Sequence, residues 1–166
     1  MISISKSDKL VDCLMALNML QGLNQYYPDF SFWFVNRVMP GVMTGNDILI
    51  VAKEHDQIIG VSIGKKHADE KKLRCVRIAP SHQKRNVWKP IIDATLRELD
   101  CDKPVCTVAQ EMIDLYSRIF INHYGFNLTG VDRGTYRRGI NEYCFNDAQS
   151  PRVGRASKLF VPYGNS

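Results

Sequence analysis

With 166 residues and 45% hydrophobic content, the chain is long enough for one domain with a sizeable core and requires no second. The 22 Lys and Arg against 17 Asp and Glu give a net charge of +5. That is a mild preference for anionic partners, and cofactor phosphates, nucleic acid or an acidic protein surface would all satisfy it. Cysteines at 13, 75, 101, 106 and 144 form neither a paired framework nor a close CxxC, which points to free thiols in a reducing compartment and to no metal site. The start, Met1 to Lys6, lacks the pattern of a signal peptide, and nowhere do about 18 apolar residues run together. A soluble, cytoplasmic protein without a transmembrane segment is expected.

From Ser7 to about Leu23 the chain reads as a helix, with Leu10, Cys13, Leu14, Leu17 and Leu20 on one face and Ser7 or Asp8 as cap. Gly22 and Asn24 weaken its end. The aromatic stretch Tyr26 to Val35 reads as a short helix or turn that either closes the core or walls a substrate pocket. Pro40 to Asn46 is loop-like. Two β runs, Ile48 to Ala52 and Ile58 to Ile63, flank the polar connection Glu54 to Gln57 and predict a hairpin. After a polar stretch from Lys65 to Lys72, Leu73 to Ile78 reads as a further strand of the same meander. A helix follows over Lys89 to Leu99, then a strand over Pro104 to Ala109 and a helix over roughly Met112 to His123. Tyr124-Gly125-Phe126 ends that helix, and Tyr136 together with Tyr143 to Phe145 supplies late strands. Helices first, then a meander, then alternating helix and strand predict an α+β or three-layer α/β architecture. Residues 147–166 read as a loose basic tail behind a domain spanning 1–146.

The segment from Arg77 to Pro90 runs from a strand through a cationic loop into a helix, an arrangement that presents unpaired backbone N–H groups to a phosphate. An anionic cofactor is the leading expectation. Lys84, Arg85 and Lys89 are candidates for phosphate oxygens, or else form a solvated cationic face. The loop has no glycine. Asn86 is the residue best able to take left-handed dihedrals there, and bulky Trp88 has to swing clear of any close backbone approach.

On the hairpin with Ile59-Gly60, the Ile78-Ala79-Pro80 strand end, Gln83 followed by the Lys84 to Trp88 turn and helix, and the closing Tyr124-Gly125-Phe126, the chain resembles the GCN5-related N-acetyltransferase superfamily over about residues 1–146. The resemblance implies a three-layer α/β/α domain around a central mixed, mostly antiparallel sheet, and an N-acyltransferase that moves an acetyl group from acetyl-CoA to an amine. It also implies cofactor contacts at Ile78, Ala79, Gln83, Lys84, Arg85, Asn86, Val87 and Trp88. In the family's Q/R-x-x-G-x-G/A loop, Gln83 keeps the first position while Asn86 and Trp88 replace the two small residues.

The family commonly takes its general acid from a tyrosine four residues before the glycine of Y-x-x-x-G-F, and that position is Ile121 here. Tyr116, earlier in the same helix, and Tyr124, beside the closing Gly-Phe, are the candidates for the role, with core packing as the alternative for each. A base is harder to assign: the Leu73 to Ile78 strand has no carboxylate, and His82, Glu111 and Cys106 each have an ordinary structural reading. A second hypothesis has Lys71, Lys72, Arg74, Arg77, Lys84, Arg85, Lys89, Arg133, Arg137, Arg138 and the basic tail forming a phosphate track for nucleic acid, with Tyr136 or Trp88 stacking on bases. A third is a noncatalytic binding module that has abandoned coenzyme A.

Overall fold

The computed structural model describes residues 1–147. Of the expected tail, 147–166, all but Asp147 lies outside the described residues. Strand β1 (Ile2–Lys6) is followed by α1 (Leu10–Met19), a 3₁₀ turn (Gln21–Gln25), α2 (Phe30–Trp33), a π turn (Phe34–Val38) and α3 (Met39–Thr44). The meander comprises β2 (Asp47–Glu54), β3 (Gln57–Lys66) and β4 (Lys71–Ile78). A 3₁₀ turn (Pro80–Arg85) leads into α4 (Trp88–Leu99), and β5 (Cys106–Ala109) follows. The chain closes with α5 (Ile113–Ser117), a π turn (Arg118–His123), β6 (Leu128–Arg133) and β7 (Asn141–Phe145).

Two sheets form, in the orders β1-β2-β3-β4 and β5-β7-β6, with every pairing inside them antiparallel. The hairpin turn between β2 and β3 is His55-Asp56, both with positive φ (51° and 63°), which matches the twist of two-residue hairpins. Strand alternation makes the layers. Leu49 and Val51 of β2 pack toward α1 and α2 with Cys13, Ala16, Phe30 and Phe34, while Ile48, Ile50 and Ala52 pack toward α4 with Ile91 and Leu99. Gly60 on β3 allows this second packing, since a Cβ there would collide with Ile91 Cδ1. A third cluster joins α4 to the second sheet through Ile92, Leu96, Val108, Phe120, Phe126 and Phe145.

The expected three-layer α/β/α domain is therefore present, with differences in detail. Pro40 to Asn46 is not a loop: Met39–Thr44 is helical and continues through the π turn from α2, and Gly45 closes the helix in the left-handed region (φ 81°). Tyr136 is not in a strand but in the turn between β6 and β7. Strands β1 and β6 have no counterpart in the sequence reading. Both are edge strands, and β6 carries Gly130 and Asp132, residues with poor strand preference that succeed here through pairing with β7.

Candidate active site

Strands β4 and β5 meet only at their beginnings. Leu73 N–H donates to Val105 O (3.0 Å) and Val105 N–H to Lys71 O (3.1 Å), a single parallel bridge between Lys72 and Val105. Beyond it the strands diverge, because β5 turns away to pair with β7. The result is a cleft of about 70 Å³ between the two sheets. Cys75, Val76 and Arg77 of β4 line one wall, Thr107 to Ala109 of β5 the other, and Tyr26, Tyr27 and Phe30 the α1–α2 side. The aromatic stretch thus serves both readings. Trp33 and Phe34 are core (4% and 0% exposed), whereas its leading tyrosines wall the cleft.

At the end of β4, Ala79 N–H is held by Ile59 O (2.8 Å) and the Gln83 side chain donates to Ile78 O (3.4 Å). Ile78 itself is core, 8% exposed. The turn then closes at Asn86 with φ 54° and ψ 34°, the left-handed conformation for which the sequence nominates this asparagine. Helix α4 starts at Trp88 with no side chain capping it, so its first N–H groups are available to an anion. Pro90, in that first turn, has no N–H to leave unpaired. The Trp88 indole packs against His123 (5.4 Å between centroids) and Tyr124 (6.4 Å), clear of the turn's backbone.

The cations of this loop are not equivalent. Arg85 makes two 3.0 Å bonds to Glu54, and His82 adds a third at 2.9 Å, holding that carboxyl down at about 2. Lys89 pairs with Asp93 (2.7 Å). Lys84 is exposed and has no ion-pair partner among the described residues. His82, engaged with Glu54 and Ser81, is a loop clamp by geometry.

Tyr116 reaches the cleft. Its hydroxyl donates to Val76 O at 2.6 Å, on the open side of β4, and burial raises its pKa, so it stays protonated. The π turn over Arg118–His123 lies between Tyr116 and Gly125 and widens the helix there. Tyr124 does not line the cleft. Its hydroxyl donates to Asp93 (2.8 Å) and Lys89 O (3.3 Å), which ties the helix end to α4. Ile121, at the family's tyrosine position, is exposed (42%).

Sequence reasoning missed Glu142. It lies on β7 opposite Ala109 of the cleft wall and is 2% exposed. Tyr27 O–H donates to its Oε2 at 3.4 Å, and its Oε1 has no hydrogen-bond partner among the described residues. Burial pushes this carboxyl up to about 7 against the pull of Arg137. The available signal was strand alternation, which puts Glu142 on the inward face with Cys144. Glu111, by contrast, is exposed and gripped by the two terminal guanidinium nitrogens of Arg137. Cys106 is buried, and its thiol pKa is raised by that burial. All five cysteines are free.

Several members of the expected nucleic-acid track are engaged in ion pairs, while Lys84, Arg133 and Arg138 are exposed and its basic tail lies outside the described residues. Lys72 is buried and paired with Glu70 (2.7 Å), and Arg74 pairs with Asp47 (3.1 Å) under Trp33. Arg85, Lys89 and Arg137 are committed to carboxylates as described, and Arg77 faces the cleft. Tyr136, a candidate for base stacking, packs edge-on against Tyr27.

No protein-family model and no curated protein matches the chain. Solved structures do. A Desulfovibrio desulfuricans protein assigned to the GNAT family of acetyltransferases superposes with a TM-score of 0.72 at 14% identity, over 87% of this chain and 97% of that one. The ribosomal-protein-S18-alanine N-acetyltransferase of Escherichia coli gives 0.67 at 14% identity, over 87% and 92%. An aminoglycoside 6'-N-acetyltransferase complexed with coenzyme A gives 0.61 at 12% identity, over 87% and 94%. The chain has the GCN5-related N-acetyltransferase fold.

Proposed function

From that fold as premise, we propose that the protein is an N-acyltransferase that transfers an acetyl group from acetyl-CoA to an amine. The observation that supports this most is the cleft between β4 and β5 lined by a protonated tyrosine, with the turn after β4 leading to an uncapped helix start. The residues present fit the cosubstrate. The Asn86 turn and the first N–H groups of α4 would face the pyrophosphate, with Lys84 adding charge. Ile78 and Ala79 would flank the acyl-pantetheine arm, Gln83 would brace the strand end, and Val87, 3% exposed, would anchor the turn to the core. When bound, acetyl-CoA would supply the thioester. Arg85 is assigned to holding the loop on Glu54, and Trp88 to packing, rather than to phosphate contact.

Tyr116 would act as the general acid for the departing thiolate. Its raised pKa keeps the proton in place until negative charge develops on sulfur. Tyr124 is assigned to positioning α4. Calorimetry tests the assignment: acetyl-CoA and free CoA should bind saturably, and Lys84→Ala should weaken both more than Arg85→Ala does. Absence of binding at both low and moderate salt would reject the transferase reading.

A further inference from the structure

We infer that Arg77, in the β4 wall of the cleft, binds a carboxylate on the acceptor, so that the substrate class is a small amine that carries an acid group. Calling the ligand an acceptor rests on the transferase reading; the carboxylate site itself does not.

Among the described arginines, Arg74, Arg77 and Arg137 are half-buried and the rest exposed. Arg74 reaches Asp47 and Arg137 reaches Glu111. The Arg77 side chain has no carboxylate partner and no hydrogen bond among the described residues. Residues 148–166 contain neither Asp nor Glu, so no acidic side chain from there can answer it. A fork of N–H donors with an uncompensated charge is therefore left in the cleft wall, and such a group favours an anionic guest. Strand alternation sets its direction. Ile78 packs toward α4, so Arg77 turns to the opposite face of β4. Its Nη2 lies toward Gly22 in the 3₁₀ turn after α1, where a Cβ would meet it at 3.9 Å. The coenzyme phosphates are expected at the start of α4, which packs on the Ile78 face. Arg77 instead addresses what enters from the α1–α2 side. It also stands close to the proposed chemistry: burial raises the Tyr116 and Cys75 pKa values, and the charge of Arg77 opposes that rise in both.

The cleft selects the kind of anion. Its charged lining residues are Arg74 and Arg77, and Asp47 already answers the first. The single remaining charge matches a monoanion, whereas a phosphate dianion would bring a second charge that no lining residue balances. A carboxylate is planar and takes two parallel N–H bonds from a guanidinium. Thr107 on the opposite wall offers a hydroxyl that is not otherwise bonded among the described residues. The aromatic walls and a volume of about 70 Å³ restrict the rest of the guest to a short carbon skeleton.

NMR titration of the full chain tests the site with 4-aminobutyrate, with sodium butyrate as the anion alone and n-butylammonium chloride as the cation alone. Saturable shifts should appear at Cys75, Arg77 and Thr107 with both carboxylates, and n-butylammonium should leave those signals in place. Arg77→Gln should weaken carboxylate binding about tenfold or more. Arg77→Lys should keep part of the affinity, because it retains the charge and loses the fork. Urea unfolding of both variants should match the wild type, since Arg77 has no ion pair among the described residues to lose. No saturation with either carboxylate, the same shifts with n-butylammonium, or equal affinity in Arg77→Gln would overturn the site. Tighter binding of methyl phosphate than of butyrate would overturn the choice of carboxylate. The comparison of butyrate with n-butylammonium needs no variant. Acetyl-CoA takes no part in these titrations, so their failure and the failure of acetyl-CoA binding are separate results.

Discussion

Replacing Glu142 by Gln should stabilise the protein in a way that depends steeply on pH. The carboxyl titrates at about 7 in the fold against an ordinary value of 4.5, because burial disfavours its charge. A carboxyl whose folded pKa is raised adds stability while it is protonated in both states, below the unfolded value. That stability is lost as pH rises through the folded value. The loss therefore falls between about pH 4.5 and pH 7 and amounts to roughly 2.5 pKa units, on the order of 3 kcal/mol. The group is 2% exposed, so solvent screening takes little from this figure. Gln keeps the shape and removes the charge. Urea titrations of wild type and Glu142→Gln should give similar stabilities near pH 4.5, with the variant ahead by about 3 kcal/mol near pH 8. A stability difference that stays constant across that range would refute the reasoning, because it would mean that Glu142 is not ionising at unusual cost inside the fold.

Tyr116→Phe should leave acetyl-CoA affinity nearly unchanged and lower transfer on the order of 10²–10⁴-fold, measured by thiol release once an acceptor is in hand; undiminished turnover excludes the acid role. Tyr124→Phe removes the bonds to Asp93 and Lys89 and should cost about 1 kcal/mol in thermal or urea unfolding while sparing transfer. Loss of activity without loss of stability would reverse the two tyrosines' roles. Gly60→Ala places a Cβ against Ile91 Cδ1 and close to Ile78 Cδ1 and Ala52 Cβ, so these side chains have to repack; about 1–3 kcal/mol of destabilisation should result, read by urea unfolding, and an unchanged stability would mean that Ile91 turns aside freely.

What could be read from the sequence follows from the range of the forces involved. The β2–β3 hairpin, β4, α4 and the helix before Gly125 were legible because each is written in local periodicity and turn chemistry. Asn86 was legible for the same reason, since its side chain is among the few that tolerate its own backbone angles. Strands β1 and β6 exist through partners 40 or more and about 10 residues away respectively, and local preference is silent about them. Charge shows the same divide. Composition suggested a basic track, yet Arg74, Arg85 and Arg137 find Asp47, Glu54 and Glu111 only after folding. Glu142 is the reverse case, a residue that reads as an ordinary surface acid and acquires its chemistry from burial. Its two nearest cleft neighbours, Tyr27 and Ala109, come from segments 115 and 33 residues earlier in the chain. A buried carboxyl whose surroundings are assembled across such separations cannot be found by motif, because no motif spans it. It becomes visible once β7 pairs with β5 and sets Glu142 opposite Ala109, with Oε1 unbonded among the described residues.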